Sequence, residues 1–100
     1  MKKYTVPLFA LSLLVCTNTA FAGTEIIRTK DALKSFQKEY LHQQNHKAFA
    51  QSPTGAWAWR AERTSREFAI EDAVNACNTY LEATEPRCVV IHVDNEWVTP

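Results

Sequence analysis

The side chains that could do chemistry are few, and most have a structural use. Cys77 and Cys88 are the obvious nucleophile or metal-ligand types. Their spacing does not fit Cys-x-x-Cys, and nothing close in sequence completes a zinc set with them. Ser35, Ser52 and Ser65 fall on a helix surface, in a turn and at a helix cap, and none sits in a Gly-x-Ser-x-Gly elbow. Glu67 and Glu71 are four apart, the spacing of a carboxylate pair on one helix face. So early in a helix, they read as charges that favour its dipole. His92 and Asp94 are two apart and share a face of a strand, a fragment of a relay without a nucleophile. His42 and His46 would share a helix face if the first helix ran that far, but nothing marks further metal ligands. These residues predict a chain that is not an enzyme, with no catalytic set, no metal site and no cofactor.

The tryptophans carry more information. Trp57 and Trp59 are two apart, and Trp97 stands near the end. Two arrangements are open for the first pair. In one they form core beneath the helices, with Ala48 and Ala50 making room. In the other, Phe49, Ala56 and Ala58 face the helices and the indoles stand on an open sheet face. Such a platform stacks on sugar rings or grips a partner protein, because flat amphipathic rings give large contact area at small entropy cost. Arg60, with Arg63 and Arg66 nearby, would add hydrogen bonds to carboxylates. Trp57, Trp59 and Arg60 are therefore the candidate binding residues.

What must position them begins with the leader. Lys2 and Lys3 precede an apolar run from Val6 to Val15, and Ala20-Phe21-Ala22 offers small residues at the two positions a signal peptidase reads. The sequence predicts a signal peptide over 1–22, cleaved after Ala22, with bacterial export to the periplasm or beyond. Cys16 fits a lipidation site poorly, because Val15 stands where a small residue is needed. Ten apolar residues are too few to span a bilayer of roughly 30 Å, so no membrane span is expected in the mature form.

The full chain has 100 residues, zero net charge and three cysteines. Removing the leader leaves one small domain over 23–100, with 78 residues and a net charge of −2. That balance gives no electrostatic reason to expect nucleic acid. Only Gly23 and Gly55 remain as glycines, which excludes a glycine-rich phosphate cradle. Cys77 and Cys88 become an even pair in an oxidising compartment, and so a predicted disulfide.

Thr29 or Asp31 can cap a helix over 31–43, whose apolar face is Leu33, Phe36, Tyr40 and Leu41. Residues 47–51 and 56–60 alternate with period 2 about Ser52-Pro53-Thr54-Gly55, a hairpin signal. With a four-residue loop, Ala50 would lie opposite Trp57 and Ala48 opposite Trp59. Thr64 or Ser65 caps a main helix over 65–83, with Glu67 completing a capping box after Thr64. Its stripe is Phe68, Ala69, Ala73, Ala76, Cys77, Tyr80 and Leu81. Cys88 then opens a β-branched strand to Val93, Asp94-Asn95-Glu96 turns, and Trp97-Val98-Thr99 can return as a short edge strand. The expected fold is a two-layer α+β domain with a mainly antiparallel sheet and the disulfide pinning helix to strand.

Residues 46–98 resemble a class of small secreted bacterial domains of unknown function. The shared pattern is Ser52-Pro53-Thr54-Gly55 with Trp57 and Trp59, then Ser65, Ala69, Ala73 and Cys77, then Cys88-Val89-Val90. The resemblance implies a fold and assigns no activity. Together these features predict a non-catalytic exported module that binds or inhibits an envelope protein. The alternative is a module binding cell-wall glycan, specifically peptidoglycan, through Trp57 and Trp59.

Overall fold

The computed structural model describes residues 24–98. The expected leader with its cleavage point, Cys16, and Thr99 at the end of the last strand lie outside the described residues.

Helix α1 spans Lys30–Lys38 and starts where Thr29, in extended conformation, accepts a hydrogen bond from the Ala32 amide. It ends earlier than position 43. Glu39 leaves helical geometry at φ −122°, and the chain continues as a 3₁₀ turn over Tyr40–His42. Gln43 Nε2 donates to the freed Glu39 carbonyl, so the broken end is satisfied by a neighbouring amide.

Strands β1 (Ala48–Gln51), β2 (Trp57–Arg60), β3 (Val89–Val93) and β4 (Glu96–Trp97) form one antiparallel sheet in the order β2-β1-β3-β4. Helix α2 spans Arg66–Asn78, capped by Ser65, whose hydroxyl accepts from the Phe68 amide. The cap is thus Ser65 rather than Thr64. Glu67 then sits two residues after the cap, one short of the position a capping box requires.

The hairpin register differs from the expected one by a residue. Gln51 lies opposite Trp57 and Phe49 opposite Trp59, while Ala50 pairs with Ala58 and Ala48 with Arg60. The cause is the turn. Gly55 donates to the Ser52 carbonyl and sits at φ +107°, and the Ser52 amide donates to the Ala56 carbonyl at 2.8 Å. The loop is therefore three residues, a turn closed by a left-handed glycine, not four. At the other hairpin, Asp94 and Asn95 at φ 45° and 71° make the two-residue turn between β3 and β4.

The slip sorts the side chains. Ala48, Ala50, Ala58 and Val93 face α2, where Ala69, Ala73 and Cys77 are wholly buried against them. Small residues on both sides bring helix and sheet close. The contact strip on α2 is correspondingly narrow. Phe68 and Tyr80, expected in the core stripe, are exposed instead. The disulfide joins Cys77 on α2 to Cys88 just before β3, with Cα atoms 6.1 Å apart.

The opposite sheet face carries the large residues. Phe36 and Tyr40 pack on Phe49 and Ile91, with Trp57, Trp59 and Trp97 half-buried around them. A bulge between Phe49 and Ala50 of the β1–β3 pairing leaves Ile91 as the extra residue. The helices thus lie on opposite faces of the sheet. The α+β class, antiparallel sheet and disulfide are as expected, and the sheet is the middle of three layers rather than one of two. Among the described residues, no helix is long and apolar enough to cross a membrane.

Candidate interaction surface

The residues with chemical potential are separated by the fold. His92 is 3% exposed on the aromatic face. Its Nδ1 lies 2.9 Å from the Tyr40 hydroxyl, which also donates to the His92 carbonyl at 3.2 Å. Phe36 and Trp97 meet the imidazole edge-on. Burial, with help from the Lys47 ammonium, lowers the His92 pKa to about 4, and nearby Asp94 only partly opposes this. Burial, then Asp94, pushes the Tyr40 phenol well above its ordinary value.

Asp94 turns away from His92. Its carboxylate accepts from the Lys47 amide at 2.8 Å and contacts His46 Nδ1 at 3.0 Å. Those hydrogen bonds outweigh desolvation and lower its pKa. The strand-sharing pair is therefore split, with His92 in a core and Asp94 closing a turn. Lys47 is 2% exposed and donates Nζ to the carbonyls of Leu41 and Gln43. Desolvation lowers its pKa. This lysine ties the 3₁₀ turn to the start of β1.

The other candidates also have structural partners. Ser35 Oγ donates to Glu39 at 2.7 Å and accepts from the Trp59 indole at 2.9 Å. Ser52 accepts from the Ala56 amide, and Ser65 caps α2. Glu67 and Glu71 are exposed on α2. His42 ends the 3₁₀ turn while His46 bonds to Asp94, so the two do not share a helix. Among the described residues, no three His, Cys, Asp or Glu side chains gather as metal ligands.

The tryptophans are neither fully buried nor on an open platform. Trp57 stacks parallel on Phe49, with centroids 5.9 Å apart, so one of its faces is covered. The Trp59 indole packs near Tyr40 and spends its N–H on Ser35. Both belong to β2, an edge strand of the sheet. Along that edge runs an open groove of about 710 Å³ that follows the chain from Gly55 to Arg63. Gln43 and Tyr80 complete its walls.

The backbone of that edge has a defined polarity. Pairing alternates from the Ser52–Ala56 bond, so Ala58 and Arg60 direct their main-chain groups at β1. Trp57 and Trp59 direct theirs outward. Arg60 Nη1 donates to the Trp59 carbonyl and Arg63 Nη1 to the Ala61 carbonyl. The Trp57 amide, the Trp57 carbonyl and the Trp59 amide are left facing the groove.

Charge is concentrated at one end. Arg63 Nε contacts Asp72 of α2 at 2.7 Å, and Arg60 Nε approaches the same oxygen at 3.9 Å. One carboxylate thus faces two guanidiniums. Glu62 is exposed on the groove wall, and Arg66, the first residue of α2, acts on Asp94. Trp57, Trp59 and Arg60 are candidates the sequence offers; Tyr80 is expected in the core, and Gln43 and Glu62 carry no signal that marks them. An exposed tyrosine at helical spacing carries no signal that tells groove from core.

A second cleft, of about 490 Å³ and largely apolar, lies where β3 extends past short β4. Val89, Val98 and Ile26 line it beside Arg28. No protein-family model, curated protein or solved structure matches the chain.

Proposed function

We propose that this is a non-catalytic exported protein that acts in the bacterial envelope as a protein-interaction or inhibitor module, with the β2 groove as its contact surface. The observation that carries this is the exposed edge of β2, where unpaired main-chain groups, two half-buried indoles and an arginine cluster line one groove. Edge strands are natural sites for pairing with another chain. The internal disulfide fits folding in an oxidising compartment. The histidine, serine and acidic side chains considered for catalysis each have local structural partners or stand on solvated helix, which supports a binding role.

The test is capture from a bacterial envelope extract at low salt, using the exported protein as bait. Wild type should retain a specific envelope protein, and Trp57→Ala should lose it. The glycan alternative rests on the part of the Trp57 ring open to the groove. Co-sedimentation with purified peptidoglycan tests it. Retention by cell wall that Trp57→Ala abolishes, with no protein captured, would replace the first reading by the second.

A further inference from the structure

Resting on that interaction reading, we propose that the β2 edge takes an extended acidic segment of the partner protein as a fifth, antiparallel strand. The segment would alternate apolar residues with glutamate or aspartate.

The outward main-chain groups set the pairing. Trp57 would exchange both hydrogen bonds with the residue directly opposite, and Trp59 would donate its amide to the residue opposite it while its carbonyl keeps the Arg60 guanidinium. Opposite residues in a sheet share a face, so these two partner residues would stand on the aromatic side, against the indoles. Apolar side chains suit that position. The residue between them would lie opposite Ala58, and the next one beyond Trp59 opposite Arg60, both on the α2 side. Ala58 is small and leaves room there.

Charge selects the second class. Asp72 is held by Arg63 at 2.7 Å and stands 3.9 Å from Arg60, which leaves the Arg60 guanidinium without a close carboxylate among the described residues. A carboxylate opposite Arg60 would supply one. A second copy of this chain fits worse. Pairing β2 with itself about Ala58 would set Ala56 of the other copy opposite Arg60, so a second copy would bring no carboxylate to that position.

The experiment titrates the exported protein with a seven-residue synthetic peptide alternating valine with glutamate, followed by tryptophan fluorescence. The glutamate peptide should bind in preference to versions carrying lysine or serine. Methylating the valine amides, which would face β2, should weaken binding at least about tenfold, while methylating the glutamate amides should leave it nearly unchanged. Arg60→Glu should move the preference from the glutamate to the lysine peptide, a change of about five- to tenfold in relative affinity. Arg60→Gln, which avoids repelling Asp72, should simply lose the discrimination. Equal effects of the two methylation patterns would overturn strand addition. A charge preference untouched by both Arg60 variants would overturn the acidic-segment assignment.

The two failures are distinguishable. If an envelope protein is captured through Trp57 yet the glutamate peptide does not compete for it, the interaction reading stands and strand addition is wrong. If the peptide binds as described but no envelope protein is captured, the edge chemistry stands and the envelope partner is wrong.

Discussion

Replacing His92 by glutamine should remove a large part of the acid sensitivity of this fold. His92 is 3% exposed, and its native pKa is about 4, held down mainly by burial. In the unfolded chain it returns to 6.5. The unfolded state therefore binds more protons between those values, and stability falls as pH drops through that window. Above about pH 6.5 the contribution is fully present, and below about pH 4 its loss is complete. At pH 4.5 the unfolded imidazole is almost wholly charged and the native one mostly neutral. Relative to pH 7, that difference costs about 2 kcal/mol. Glutamine carries both a donor and an acceptor for the Tyr40 hydroxyl and does not titrate in this range. Lys47 and Asp94, which also act on His92, remain in both proteins and cancel in the comparison. Urea unfolding followed by tryptophan fluorescence at pH 7 and pH 4.5 gives the four stabilities needed. The wild type should lose about 2 kcal/mol more than His92→Gln over that interval. Equal losses would refute the claim that His92 is buried neutral.

Three further substitutions test the packing. Cys77→Ser with Cys88→Ser should cost about 3 kcal/mol in denaturant unfolding, as expected for opening a loop with a separation of 11. An unchanged midpoint would mean the bridge closes nothing in the unfolded state. Ala73→Leu should destabilise by about 1–3 kcal/mol, because Ala73 is fully buried at the close approach of α2 to the sheet. A neutral result in thermal unfolding would show that the layers are not tightly packed. Gly55→Ala should cost roughly 1 kcal/mol through its φ of +107° alone, since the new Cβ would meet Thr29 at an ordinary 3.5 Å. Calorimetry showing no loss would contradict the three-residue turn.

The elements were legible where local chemistry decides them. Thr29 and Ser65 cap helices because their hydroxyls satisfy amides three residues on. The run from Val89 to Val93 is a strand, and Cys77 and Cys88 are paired. The hairpin register was not legible. The same four residues at its tip can be counted as loop or as turn plus paired residue, and only the left-handed Gly55 with the Ser52–Ala56 bond decides. The third layer was hidden for a related reason. β1 alternates alanine with Phe49 and Gln51, which suits one helix or two until the register is known. Tyr40 and His92 are 52 positions apart, and nothing local announces that they meet. Of the groove, Trp57, Trp59 and Arg60 were visible as residue types. That β2 is an edge strand was not, because strand order follows from how β3 returns beside β1.

The most direct test of the β2 edge as the proposed contact surface is amide hydrogen exchange on the protein, free and in complex with any envelope protein that the capture experiment yields. The outward Trp57 and Trp59 amides should exchange fast in the free protein and become strongly protected in the complex, while Ala58 and Arg60, already paired with β1, change little. Protection confined to the apolar cleft around Val89, with Trp57 and Trp59 exchanging as before, would contradict it.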